Sequence, residues 1–131
     1  MSALPSAPPL GSTKDDLDTP ALCLDLDVME SNIRAMAEAC RRHGVAWRPH
    51  AKGHKVAAIA RAEIDAGALG VTCGKLGEAE VMAAGGVKDI LIANLIVGAA
   101  KIRRLVELRR HADPIVWIEH LEMARALRRA F

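Results

Sequence analysis

The sequence predicts an α/β fold built from successive βα units around a parallel sheet, and three observations carry that expectation. Short apolar runs of strand character, at 21–26, 45–48, 69–73, 89–93 and 115–118, alternate with stretches of helical periodicity. The starts of successive runs lie twenty-odd residues apart, which leaves room for one crossover helix per step, as parallel strands require. The chain is 51% hydrophobic but only 2% aromatic, so its core must be made of Ala, Leu, Ile, Val and Met, a palette suited to close helix-on-sheet packing.

Residues 1–17, with Pro5, Pro8, Pro9 and Gly11 ahead of a small charged run, have nothing to bury and are expected to form a disordered arm. Order is expected from about Asp18, so that residues 18–131 make the folded part. Ala21–Leu26 reads as the first strand. Asp27 to Glu30 has the D-x-x-E form of a capping box, after which Met29, Ile33, Met36, Ala37 and Cys40 recur at helical spacing and Gly44 falls where a helix would end. The unit then repeats, with helices expected near 54–66, 76–84, 99–111 and 121–131. An open doubly wound sheet and part of a closed barrel both fit such a string. No G-x-G-x-x-G follows the first strand, where Asp25-Leu26-Asp27 stands instead, and this counts against the open sheet. Five strands fall short of the roughly eight strands and about 250 residues of a closed barrel. The expectation is therefore an incomplete barrel or a smaller open sheet, and the helical pattern running uncapped to Phe131 agrees with a truncated barrel.

A formal net charge of +2 is too small to point to nucleic acid or a membrane surface, and the arginines at 103, 104, 109, 110, 125, 128 and 129 fall on helical stretches as solvated faces. Cys23, Cys40 and Cys73 are odd in number and show no short C-x-x-C spacing, so they read as packed thiols in a reducing compartment. With no signal-peptide order and no apolar run of about 18 residues, a cytoplasmic location is expected.

The densest reactive cluster is Arg48-Pro49-His50-Ala51-Lys52-Gly53-His54-Lys55, directly after the second strand candidate, where the loops of parallel βα folds converge on one mouth. A lysine at such a strand end, partly dehydrated and flanked by the cations Arg48 and Lys55, tends to lose its proton, and a neutral amine attacks aldehydes. Lys52 is thus a candidate Schiff-base former; the competing reading is a surface turn whose lysines only solubilise it. His50 and His54 are four apart, as metal ligands on a helix can be, but Pro49 and Gly53 argue against a helix there and no third ligand is near. Shaping a pocket, bonding a cofactor ring or relaying a proton suits them better. One unit later, Gly74 and Gly77 either allow a ligand close to the backbone or merely punctuate a turn. Cys73 has no base beside it. Asn94, just past the fourth strand candidate, can offer an amide to a pocket or serve a turn.

The segments Asp18-Thr19-Pro20-Ala21-Leu22, RPHAKGHK at 48–55, GVTCGKLGEAEVMAAGG at 70–86 and DILIAN at 89–94 resemble, in order and spacing, those of the D-threonine aldolase and D-serine dehydratase-like enzymes. The resemblance runs from about residue 18 to 119, most of this chain and the first third or so of a typical member. It implies a partial (β/α) barrel of the alanine-racemase type, of about five βα units. It also implies pyridoxal 5'-phosphate held by Lys52, with His50, His54, Arg48 and Asn94 as further cofactor-binding candidates and no residue assigned to a metal. The implied activity is that of a lyase on D-amino acids, either retro-aldol cleavage of D-β-hydroxy amino acids or dehydration. Full-length members form homodimers, anchor the cofactor phosphate through late barrel loops and carry divalent-metal ligands in a C-terminal β-domain, regions this stretch does not include. Two departures stand out: Gly53 replaces the Thr or Ala of many members, and Gly74 replaces Gln or another side chain. An inactive truncated fragment and a cofactor-binding protein without turnover are the competing readings.

Overall fold

A computed structural model describes residues 8–131. After a 3-10 turn at Lys14–Asp16 come α1 (Leu26–Arg42), α2 (Ala57–Asp65), β1 (Val71–Cys73), α3 (Leu76–Ala84), β2 (Asp89–Leu95), α4 (Ala99–Arg109), β3 (Asp113–Trp117) and α5 (Leu121–Ala130). The three strands form a parallel sheet in the order β1-β2-β3, with Val71 opposite Ile90 and Ile90 opposite Pro114. β1 and β2 each hand over to a helix that returns the chain to the next parallel strand, and β3 is followed by α5, the βα succession expected from the spacing.

The second strand candidate is realised slightly later than 45–48, as an edge ladder. Trp47 C=O accepts from Leu69 N–H at 3.0 Å, Pro49 C=O from Thr72 N–H at 2.7 Å, and Thr72 C=O from Ala51 N–H at 2.8 Å, so His50 bridges Thr72 in parallel. The first strand candidate, Ala21–Leu26, is not a strand. Asp25 caps α1, its carboxylate accepting from Val28 N–H at 3.0 Å, so the helix opens at Leu26, ahead of the Asp27–Glu30 box expected to start it. Among the described residues no backbone hydrogen bond ties 18–24 to the sheet, and Leu22 and Leu24 are exposed. An extended segment becomes a strand only when a neighbour satisfies its peptide groups, and here none does.

Of the arm expected at 1–17, residues 1–7 lie outside the described residues. In the remainder, the Thr13 N–H and hydroxyl both donate to Asp16 at 2.8 and 2.9 Å, and those two bonds hold the Asp16 carboxyl below its usual range. The end of α1 is the one predicted at Gly44. With φ at +64°, Gly44 donates to Arg41 C=O while Val45 donates to Cys40 C=O, closing the last turn on groups that would otherwise be unpaired.

Helices cover one face of the sheet. Val71 and Cys73 of β1 and Ile90 and Ile92 of β2 are fully buried against Leu76, Ala79 and Met82 of α3 and Leu105 and Leu108 of α4, with Met123 and Leu127 of α5 closing the far end. Alternation along the strands turns Thr72, Leu91, Ile115 and Trp117 to the other face, and there Ile115 and Trp117 are about half exposed, 47% and 57%. A parallel sheet normally has both faces covered; here one is open.

On that open face the Arg48 guanidinium forms a two-pronged pair with Asp89, Nη1 to Oδ1 at 2.8 Å and Nη2 to Oδ2 at 3.1 Å. The pair passes over Gly70, where a Cβ would fall 2.1 Å from Asp89 C=O and 2.7 Å from Arg48 Nη1. Glycine is required there because a Cβ would run first into the Asp89 backbone carbonyl and then into the Arg48 and Asp89 side chains that meet above it. Gly70→Ala is expected to lower the free energy of unfolding by about 1–3 kcal/mol, the usual cost of overpacking, read from urea denaturation; an unchanged midpoint would mean the pair shifts aside freely.

Candidate active site

The carboxyl ends of the edge ladder, β1 and β2 deliver Lys52, Gly74 and Asn94 to one end of the sheet. Lys52 sits in a turn closed by Lys55 N–H donating to Ala51 C=O at 2.8 Å. Ala51 is buried and fixes the start of the turn, whereas Lys52 is exposed and, among the described residues, makes no ion pair. It does not line the clefts on either side, one bounded by Lys75, Gly77 and Asn94 and the other by Lys55, Glu78 and Val81. Its position on the open face of the sheet accounts for that exposure. Lys55, with φ at +57°, holds the left-handed conformation that an L residue adopts at a cost of about 1–2 kcal/mol. The strained residue is thus Lys55 and not the neighbouring Gly53.

His50 Nδ1 accepts from the Lys52 N–H at 3.2 Å and His54 Nδ1 from the Val56 N–H at 3.0 Å. Each ring is therefore locked to its own backbone through Nδ1, which leaves Nε2 to carry the proton in the neutral form. The two rings do not converge, and among the described residues no three His, Cys, Asp or Glu side chains gather as a metal site needs.

Two expected roles change on contact with the structure. Arg48 and Lys55 were expected to crowd the Lys52 amine with positive charge. Arg48 is instead neutralised by Asp89 at the opposite, amino-terminal end of β2, and Lys55 Nζ lies 3.4 Å from Glu78 Oε1. As a candidate for binding a cofactor, Arg48 has both terminal nitrogens engaged by Asp89, at the end of the sheet away from Lys52. Asn94 likewise spends both ends of its amide locally: Nδ2 donates to Gly74 C=O at 3.0 Å and Oδ1 accepts from Leu95 N–H at 2.8 Å. It braces the Gly74 loop where the β2–β3 register slips between Ile92 and Leu95.

Glu78, which the sequence offered only inside a glycine-bearing run, is central to the site. Its Oε2 accepts from Gly74 N–H at 2.8 Å. Burial would raise its pKa, but the Gly74 bond and the Lys55 ammonium outweigh that and hold the carboxyl below its usual range. A Cβ on residue 74 would press on Glu78 Oε2 at 3.2 Å and would touch His50 Cε1 and Lys52 Cβ at 3.8 Å, so Gly74 leaves the Glu78 carboxylate room to reach its N–H. The signal for Glu78 was its place three residues after Lys75, in the first turn of α3, where a carboxylate reaches back to a preceding N–H. Cys73, expected to be a packed thiol, is fully buried; burial first and the Glu78 charge second push its pKa up to about 11.

Behind the turn, His54 Nε2 faces Glu63 Oε2 of α2 at 3.9 Å, and both atoms are buried without a hydrogen-bond partner. Burial pushes His54 down from the ordinary histidine value and Glu63 up from the ordinary carboxyl value.

These features define a wall of parallel βα units with a lysine turn at the carboxyl ends of its strands. The chain belongs to the family of the alanine racemase N-terminal domain, whose model matches residues 24–131. It is 43% identical over 118 residues to the D-threonine aldolase of an Arthrobacter species, a match covering 90% of this chain and 31% of that protein. It is 42% identical over 112 residues to the D-threo-3-hydroxyaspartate dehydratase of Delftia sp. (strain HT23), covering 85% and 29%. The crystal structure of D-threonine aldolase from Filomicrobium marinum superposes with a TM-score of 0.85 at 43% identity, over 89% of this chain and 32% of that one. The chain thus spans about a third of the length of the relatives it matches. The partial barrel expected from the sequence stands. The α/β class holds throughout, with three full strands and an edge ladder where five strands were expected.

The partly buried His54 makes stability pH-dependent with a definite sign. As pH falls through 6.5, the ordinary value, the unfolded chain takes up a proton at His54 before the folded one does, so stability drops. His54→Asn keeps an acceptor for Val56 N–H but cannot titrate. It is expected to show a shallower fall of the urea midpoint on acidification than the parent; parallel profiles would refute the burial argument.

Proposed function

We propose that this chain supplies the lysine-bearing wall of a pyridoxal-phosphate lyase that acts on β-hydroxy D-amino acids. The observation that carries the reading is the position of Lys52, an unpaired primary amine on a tight turn at the carboxyl ends of parallel strands, within the RPHAKGHK segment. The donor set fits an aldehyde cofactor: the amine is exposed, and His50, locked through Nδ1 to the Lys52 N–H, keeps its Nε2–H free as a hydrogen-bond donor. When bound, the cofactor supplies an electron sink for bond breaking at the substrate Cα.

The residues of this chain have narrower tasks. Lys52 holds the aldehyde carbon. His50 orients the lysine through its bond to the Lys52 N–H and offers a proton at Nε2. The Gly74 peptide, braced by Glu78 and Asn94, keeps the opening between His50 and Lys52 clear of side chains. Arg48 holds the strand register through Asp89 at the other end of the sheet, and His54 backs the turn through Val56 N–H; neither is taken as a contact to the cofactor. Among the relatives, one is named an aldolase and another a dehydratase, and the reading takes in both outcomes of a β-hydroxy substrate.

With Lys52 exposed, this chain is expected to take up pyridoxal phosphate weakly and reversibly. A visible absorbance band should appear on mixing and be absent in Lys52→Ala. Borohydride should fix the label on the Lys52 peptide, while unreduced cofactor should be lost on gel filtration. Label on other lysines but not on Lys52 would overturn the reading.

A further inference from the structure

The turn that carries Lys52 is held by side chains more than by its own backbone. Only one backbone hydrogen bond, Lys55 N–H to Ala51 C=O, closes it. Gly53 stands at its centre, and a Cβ there would meet nothing within 4 Å, so neither packing nor a side chain restrains that residue. A glycine in an open turn leaves the flanking peptide planes the most freedom a residue can give.

Against that freedom stand two carboxylates from two different helices. Glu78 of α3 pairs with Lys55 on one side of the turn, and Glu63 of α2 faces His54 on the other. Both are well buried for charged groups, with side-chain exposures of 11% and 14%. Glu78 is anchored independently by Gly74 N–H, so it ties the turn to the end of β1. The Glu63 and His54 atoms that face each other at 3.9 Å are buried and have no hydrogen-bond partner, and a shift of about 1 Å would let each satisfy the other. The left-handed Lys55 needs such a hold, because its conformation is one that an unrestrained L residue leaves.

We propose that Glu63 and Glu78 are positioning residues that grip the glycine-centred turn through His54 and Lys55 and thereby fix where the Lys52 amine is presented. The inference rests on Lys52 being the reacting amine. It goes beyond that reading in assigning its placement to two acids on the helix side of the sheet. It also explains how this chain tolerates glycine at residue 53: the restraint lies in the clamps.

The test uses the full chain carrying Glu63→Ala and Glu78→Gln, singly and together, each with and without Gly53→Ala. Two quantities are read: amide hydrogen exchange at Lys55, and the yield of borohydride-fixed pyridoxal phosphate on Lys52. Loosening the clamps is expected to speed Lys55 exchange by about fivefold and to lower the Lys52 yield. Adding Gly53→Ala, which stiffens the turn without touching either acid, should recover roughly two- to fivefold of the loss. A general loss of structure would not be recovered by a methyl group in an open turn. Should Glu78→Gln unfold the chain, Lys55→Met breaks the same contact from the turn side. Unchanged exchange and yield in the folded double variant, or no recovery with Gly53→Ala, would overturn the proposal. If the parent chain gives no label at Lys52, the cofactor reading falls, while Lys55 exchange still decides whether the clamps hold the turn.

Discussion

Two hydrogen bonds on one residue set the geometry of the candidate site in this chain. Thr72, in the middle of β1, donates its N–H to Pro49 and accepts from Ala51, at 2.7 and 2.8 Å. Pro49 has no N–H to give, so its carbonyl is its one means of joining the sheet. Together the two bonds lay the 47–51 segment parallel to β1 and fix the point at which the backbone leaves the sheet, one residue before Lys52. A slip of one residue would turn Arg48 and His50 to the helix side and carry the lysine with them.

The Arg48–Asp89 pair reinforces this register from the opposite end. It links the edge ladder to β2 across β1, and β1 makes room by having Gly70 at the crossing. A two-pronged guanidinium–carboxylate contact fixes relative position more tightly than a lysine could, because both planes must align. The same residue that looked like a cofactor ligand in the sequence is therefore a gauge for the strands. The candidate site at the other end is correspondingly spare: a lysine, a histidine locked to its backbone, and a glycine loop braced by Glu78 and Asn94.

The one-sided burial of the sheet ties the fold to the function. Helices seal the face bearing Ile90 and Ile92, while Leu91, Ile115 and Trp117 lie on the other, where Lys52 also emerges. In the relatives, this region is about a third of a longer protein. An open wall of this kind presents an amine without enclosing it, so the placement of Lys52 depends on local contacts, among them the Lys55–Glu78 pair beside it.

By itself the sequence determined the α/β class, four of the helices to within a few residues, the gly-capped end of α1 and the turn on which Lys52 sits. These are written in local signals: periodicity, spacing and turn residues act over a few positions along the chain. Only the tertiary structure decided that Ala21–Leu26 stays outside the sheet, because a strand exists only through a neighbour's peptide groups. Only it showed that Arg48 belongs to Asp89, forty-one residues away, that Asn94 serves Gly74, and that Glu78 pairs with Lys55. Each of those pairings joins residues distant in the chain. Their partners are chosen by how the helices and strands pack, which no local pattern records.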